Sequence, residues 1–415
     1  MKAELQALSE AGVQFVALTE MHARDFVARA DQHDRDGSFP VENIEALKSS
    51  GVMGATVPRQ LGGLGVESVH DYVVGIDRLG RGDGSTALAV NMHLFRTWFI
   101  SRAWREATAL GDEERAGHWE RLLREIAAGR TVIAAILTEP GIDHLHLRTE
   151  AARVPGGWSL TGHKSFGTGS PAADLLGIVC RYRDDRGDWR FALAHVPTQS
   201  PGVEIKNNWD ALGMRGSGSH DVVFMNCFVP ESDFIDTGRW GEYNERYLAG
   251  NAVGTLGLVA VFLGIAEAAR EIAVSFIRGR RRGEGSRAMA ERFAIQHSVA
   301  EIEIDVAASR AMVDRTGSAM DAFFKAHPQG SLPMDELHEL MKDFQCTKWF
   351  VTRKAIDIVD RALTLSGGAG YLTRHQLSRL YRDVRAGPFM QPFSPNEAFE
   401  YIGKVTLGID PVIEL

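Results

Sequence analysis

Cysteine is scarce in this chain of 415 residues: Cys180, Cys227 and Cys346 are its complement, and no two stand at a CxxC spacing. An odd, widely spaced set suits packed thiols in a reducing compartment and supplies neither a disulfide framework nor a zinc site. Basic charge is not in excess either. With 46 Lys and Arg against 54 Asp and Glu the formal net charge is -8, which argues against a general nucleic-acid partner, because neutralising phosphates takes a basic surface. One basic run, Arg278-Gly279-Arg280-Arg281-Arg282, must therefore have a local use. Behind Met1 the charges of Lys2 and Glu4 replace the apolar run a signal peptide needs. The longest apolar candidate, residues 252–266, is interrupted by Gly254, Gly257 and Gly264 and falls short of the roughly 18 residues of a membrane span. The expectation is a cytoplasmic protein with no membrane partner. What is present, 44% hydrophobic and 24% charged residues, is an ordinary globular mixture long enough for two or three packed units.

Up to about Arg130 the pattern is helical, with Phe15, Leu18, Phe26 and Val27 recurring near a 3.6-residue period and an apolar, aromatic stretch over residues 91–104. Gly37, Pro40 and Gly62-Gly63-Leu64-Gly65 punctuate it. From Thr131 the period changes to short β-rich runs, residues 132–137, 158–160, 176–180, 191–196 and 222–229. Strands in succession without helices between them imply an antiparallel sheet or barrel. From about Leu248 the helical period returns over residues 252–277, 296–324 and 333–365, and long helices on short loops pack as an antiparallel bundle. Pro333 suits the first helical position behind Ser331 as N-cap, and Gly367 marks the stop. The predicted organisation is mainly α with a central β domain: helical over 1–130, β over 131–240, a helical bundle over 241–415.

Two motifs close predicted strands, Leu137-Thr138-Glu139-Pro140-Gly141 and Gly162-His163-Lys164-Ser165-Phe166-Gly167-Thr168-Gly169. Hydroxyls and amides at strand ends can bind the edge of a planar heterocycle, and Phe166 can cover its face. A third motif, Ser366-Gly367-Gly368-Ala369-Gly370-Tyr371, lets backbone amides approach a phosphate after a helix and precedes Arg379-Leu380-Tyr381-Arg382-Asp383. Together with Phe39-Pro40, Gly51-Val52-Met53-Gly54 and Leu212-Gly213-Met214-Arg215-Gly216-Ser217, in this order, the chain resembles the acyl-CoA dehydrogenase superfamily from about residue 10 to its end.

The resemblance implies an N-terminal helical domain, a middle antiparallel β-barrel and a C-terminal four-helix bundle, assembled as a homotetramer with one flavin, FAD or FMN, per subunit. It assigns Thr138 and Thr168 to hydrogen bonds with the isoalloxazine and lays Phe166 against it. Gly367, Gly368 and Gly370 would meet the adenine end of FAD across a subunit interface, and Arg287, or one of Arg280, Arg281 and Arg282, would reach the pyrophosphate.

The departures from the family pattern concern the reaction. Desaturating an acyl thioester needs a carboxylate to take the α-proton. The stretch that carries it in the common subfamily reads Phe389-Met390-Gln391-Pro392-Phe393 here, with Gln391 in the carboxylate's place, and the alternative position falls on Gly254-Thr255. The loop that helps hold CoA reads Ile142-Asp143-His144-Leu145-His146. Other relatives take reduced flavin from a separate reductase, form a C4a-peroxide with O2 and oxygenate small molecules, using His, Ser or Tyr at the site. His93 and then Ser170 are the candidates for that role, while His144 and His146 read as loop residues and His375 as surface. The leading expectation is a two-component reduced-flavin monooxygenase acting on a small organic substrate. The alternative is an acyl-CoA dehydrogenase with a displaced base, Glu397 or Glu400, and the third a non-catalytic flavin-binding scaffold.

Overall fold

The computed structural model of the chain describes residues 4–278, 280–281, 288–328 and 332–412. Gly279, Arg282, Arg287 and Ser331, on which some of the expectations rest, lie outside the described residues. Helices come first: α1 (Glu10–Asp36), α2 (Val41–Ser49), α3 (Val69–Gly82), α4 (Gly84–Leu110) and α5 (Glu113–Ala127). Strands follow: β1 (Ile133–Ile136), β2 (Glu150–Val154), β3 (Gly157–Gly167), β4 (Leu175–Arg183), β5 (Trp189–Pro197), β6 (Val203–Ile205), β7 (His220–Pro230) and β8 (Phe234–Arg239). The last part is helical again: α6 (Glu245–Arg278), α7 (Phe293–Ala326), α8 (Met334–Ser366), α9 (Gln376–Asp383) and α10 (Pro395–Leu407).

Local chemistry sets the ends of these elements. Ser9, Ser68 and Asp83 accept backbone N–H groups at the starts of α1, α3 and α4, satisfying amides that have no partner within the first turn. Ser394 and Glu397 form a reciprocal capping box at α10. At α8 the N-cap is Pro333 itself, so the helix starts at Met334, one residue after the start read from the sequence.

Helix α6 is the axis of the molecule, packed against α8, α3, α4 and α7. It is longer and more continuously apolar than the run read from the sequence, long enough to cross a membrane by length and composition, and its apolar window is completely buried inside the protein. Gly257 allows that closeness: a Cβ there would lie 1.9 Å from Asn91 Oδ1 and 2.6 Å from the Tyr72 hydroxyl.

The sheet runs β6-β7-β3-β2-β4-β5-β8, with β1 also paired to β4. All pairings are antiparallel except β1–β4 and β2–β4, because β1 and β2 lie end to end along one edge of β4, against residues 175–178 and 181–182. Trp158, Leu160, Ile178, Phe224 and Cys227 form a core of its own. Strands β2, β6 and β8 carry too little apolar pattern to be read from sequence: β2 is Glu-Ala-Ala-Arg-Val, with a single fully buried position.

Candidate active site

Strand β3 runs through the second motif instead of ending before it. Between Lys164 and Gly167 it carries one residue more than its partner β7, a bulge in which Phe166 adopts φ 54°. A side chain in that left-handed region is held against its own steric preference, and such residues gather at functional sites. The bulge turns the Phe166 ring out into a cavity, where it is 57% exposed and meets Trp209 edge-on at 6.0 Å between centroids. The Ser165 amide donates to the Thr138 carbonyl at 3.0 Å, tying the end of β1 to the bulge and bringing the two strand-end motifs side by side.

Beneath them sits a buried ion pair, Lys164 Nζ to Glu139 Oε1 at 2.8 Å. Glu139 also accepts the amides of Arg148 at 2.6 Å and Thr149 at 2.9 Å, so it anchors the loop between β1 and β2. Burial works against the charge of Glu139, but Lys164 and the amides hold the carboxyl below its ordinary range. Lys164 gains less: burial pushes its ammonium down in spite of Glu139. The pair therefore specifies the loop's position more than it adds net stability.

That loop carries His144, 7% exposed, whose Nε2 atom is buried with no hydrogen-bond partner. Burial, reinforced by Lys164, pushes the imidazole down to about 4, so it is neutral at ordinary pH. His144 lines three adjoining cavities. The first, about 390 Å³, is bounded by Thr138, Phe166, Thr168, Trp209, Ser219 and Gln391, with α4 and α6 as its wall. Among the described residues no Asp or Glu lines it. The second, about 320 Å³, lies between α4, α5, β5 and the start of α6. The third, about 780 Å³, is an open cleft bounded by Glu139, Gln391 and Glu397.

Thr138, Phe166, Thr168 and Gln391 are thus brought together as the sequence motifs implied. Thr168 Oγ1 lies 2.8 Å from Ser219 Oγ, which lies 2.7 Å from Ser217 Oγ, and the Thr138 hydroxyl has no protein partner among the described residues. His93 is elsewhere. Its Nδ1 accepts the Ile133 amide at 2.9 Å, its Nε2–H donates to the Met53 carbonyl at 2.8 Å, and it is fully buried between α4 and β1. Both nitrogens are consumed in packing, and burial holds the ring down at about 4. Ser170 likewise turns inward, donating to the Gly218 carbonyl at 3.2 Å. Neither lines the cavities.

The displaced acids are also engaged away from the first cavity. Glu397 accepts the Ser394 amide at 2.6 Å in its own helix cap, and Glu400 pairs with Lys404 at 2.8 Å. Thr255, on α6, donates to the Asn251 carbonyl at 2.5 Å. Gly367 ends α8 with a φ of 61°, and the glycine turn is not among the residues that line the first cavity. Arg280 stacks on Phe276 at 4.4 Å, outside the cavities.

Missed by the sequence reading were His144, Ser219, Trp209 and Arg385. Arg385 lines the first cavity and makes no ion pair among the described residues. Ser219 stands two residues beyond the Leu212 to Ser217 motif and could have been found there. His144 could not, because its burial depends on Glu139 pulling the loop inward. Arg379 and Arg382 serve structure, pairing with Asp31 and Asp34 of α1 at 2.7 and 2.8 Å.

Domains described as the N-terminal, middle and C-terminal domains of acyl-CoA dehydrogenases match residues 10–107, 134–227 and 256–393 in chain order. The chain is also 38% identical to the L-evernosamine nitrososynthase of a Micromonospora species, over 98% of this chain and 93% of that one. The chain belongs to the acyl-CoA dehydrogenase superfamily. It is 33% identical to an amino sugar nitrososynthase of Streptomyces rubradiris, over 97% of this chain and 92% of its relative. Among solved structures, KijD3 in complex with FMN and dTDP-3-amino-2,3,6-trideoxy-4-keto-3-methyl-D-glucose superposes with a TM-score of 0.88 at 35% identity, covering 98% of this chain and 96% of that one.

As a member of this superfamily the chain is a flavin-dependent oxidoreductase, and the first cavity fits the ring of such a cofactor: the Thr138 hydroxyl and the Thr168–Ser219 pair at its edge and an exposed aromatic ring on a strained backbone at its face. Phe166→Ala is expected to weaken flavin binding by about 1–3 kcal/mol, the scale of losing a stacked aromatic. Fluorescence titration of flavin into the two proteins checks this, and equal affinities would place the ring elsewhere.

Proposed function

We propose that the chain is a two-component monooxygenase that oxygenates the nitrogen of an amino sugar, using reduced flavin, FMN or FAD, delivered by a separate reductase. The observation that carries this reading is the first cavity's lining, which among the described residues holds a neutral histidine and an amide, Gln391, and no carboxylate. Dehydrogenation of a thioester requires a base there, and neither Gln391 nor Thr255 can take the proton. The likeness to nitrososynthases at 38% and 33% identity supports the same direction.

A bound reduced flavin supplies electrons and activates O2; what remains for the protein is placement and proton handling. Thr138, Thr168 and Ser219 present hydroxyls to the ring's edge, and Phe166 and Trp209 shield it from water. Arg385 is positioned to meet a flavin phosphate. His144 accepts a hydrogen bond from the substrate's amino group through its unpartnered nitrogen. A neutral imidazole beside the amine favours the neutral amine, whose lone pair is the nucleophile, where a carboxylate would favour the ammonium. In the balance, the amine, O2 and two reducing equivalents give the hydroxylamine and water; a second round gives the nitroso product and two waters.

Two experiments test the reading. Supplied with reduced flavin, O2 and a nucleotide-linked amino sugar, the enzyme is expected to yield, in mass spectrometry, a hydroxylamine heavier by one oxygen and then a nitroso product lighter than it by two hydrogens. Mixed anaerobically with straight-chain acyl-CoAs in stopped flow, its oxidised flavin is expected to keep its colour. Rapid bleaching by an acyl-CoA would overturn the proposal in favour of a dehydrogenase.

A further inference from the structure

Sulfur lines the first cavity, and the function above leaves it without a task. Met92 on α4, Met214 and Met390 all border that cavity, and among the described residues no cysteine does. Met92 and Met390 are partly exposed and pack against the core. Met390 stands directly before Gln391, and its amide donates to the Gly387 carbonyl at 3.2 Å, which ties down the backbone from which its side chain borders the cavity. Met214 differs. It is 1% exposed, its backbone is held at φ 53°, and its amide donates to Asp383 Oδ1 at 2.6 Å, so it is the least able of the three to yield to an incoming atom.

A thioether is a soft nucleophile whose lone pair no proton blocks at ordinary pH, and it takes up one oxygen to become a sulfoxide. It therefore competes with an amine for the same activated oxygen. Confinement favours it, because a group held beside the reacting atom acts at an effective concentration far above any reached in bulk. In the balance, the thioether, O2, two electrons from reduced flavin and two protons give the sulfoxide and water: an S–O bond forms, the O–O bond breaks, and the second oxygen leaves as water.

We propose that Met92 and Met390 are oxidised to sulfoxides by the enzyme's own oxygen chemistry whenever reduced flavin and O2 meet in the first cavity with no amine to take the oxygen. The inference rests on the oxygenating function above. It makes the substrate a protector of its enzyme and the two thioethers a record of unproductive turnover. A sulfoxide is polar, whereas the neighbouring wall is carried by Leu88, Phe95 and Leu258, so oxidation also weakens the seat of the flavin ring.

Surface methionines supply the internal control. Met21 and Met225 are 52% and 55% exposed and lie outside the cavities, so an oxidant arriving from solution reaches them first. The full-length protein is given FMN, a flavin reductase and NADH in air, with catalase to remove free hydrogen peroxide, and its methionines are followed by peptide mass spectrometry. Met92 and Met390 are expected to gain one oxygen at least about fivefold faster than Met21 and Met225. Hydrogen peroxide added to the resting protein, without reductase or catalase, is expected to reverse that order. A nucleotide-linked amino sugar is expected to slow oxidation at Met92 and Met390 at least about fivefold by taking the oxygen in their place. Flavin affinity is expected to fall about three- to tenfold with the oxidation and to return after treatment with methionine sulfoxide reductases. Oxidation of Met21 and Met225 ahead of the cavity pair, or oxidation of the pair only when catalase is omitted, would overturn the inference. Intact Met92 and Met390 after substrate-free turnover, in a protein that oxygenates the amine, would overturn it and leave the function standing. Sulfoxide at both positions, together with no amine oxygenation, would instead refute the amine as substrate and leave the cavity's oxygen chemistry standing.

Discussion

Lys164→Met is expected to lower the unfolding free energy by about 3–5 kcal/mol, the largest stability effect of any substitution considered for this site. The reason is not that the Lys164–Glu139 pair is strongly stabilising as it stands. Removing the ammonium leaves the Glu139 carboxylate, 4% exposed, with two loop amides and no counter-charge. The double variant Glu139→Gln, Lys164→Met removes both charges and is expected to recover part of the loss, so a double-mutant cycle in urea should show strong coupling. The pH dependence has a definite sign. The folded pKa of Glu139 is depressed below its ordinary 4.5, so its contribution is complete above that value and is lost as pH falls through the lower, folded one. Lys164→Met removes this increment, and the wild type's advantage is expected to shrink as acid is added. Equal unfolding midpoints for the two proteins near neutral pH would mean that the pair does not hold the loop.

His144→Ala is expected to lower kcat/KM for amine oxygenation by roughly ten- to a hundredfold, about 1–3 kcal/mol for an unmet hydrogen bond in a dry site. Flavin affinity is expected to stay unchanged, because the ring-binding hydroxyls of Thr138, Thr168 and Ser219 sit just after β1, just after β3 and just before β7. His144→Gln, which carries a hydrogen-bonding amide at nearly the same reach, is expected to recover most of the rate, an outcome a purely structural histidine would not give. Because burial holds His144 down at about 4, it contributes no acid limb near 6.5 to the rate profile. A wild-type limb near 6.5 that disappears in His144→Ala would contradict the neutral imidazole.

Much of the architecture was legible from one chain. The three long bundle helices show in their apolar period and are found over Glu245–Arg278, Phe293–Ala326 and Met334–Ser366. Strands with a dense apolar pattern, such as β5 and β7, were equally readable, whereas β2, β6 and β8 were not, because their order comes from neighbours in the sheet. Thr138, Phe166, Thr168 and Gln391 could be singled out because each sits in a short motif whose spacing is local.

The histidines show where local reading ends. His93, in an apolar helix, and His144, in a polar loop, differ in sequence context in a way that favours the first as the functional one. The tertiary structure reverses the order, since Met53 and Ile133 saturate His93 while Glu139 and Lys164 draw His144 inward and leave its Nε2 without a partner. Period, motif order and the missing carboxylate at residue 391 were properties of the sequence by itself, being set by neighbours along the chain. Which histidine faces the cavity, and which methionines line it, was decided only by the fold, because burial and pairing come from residues distant in sequence.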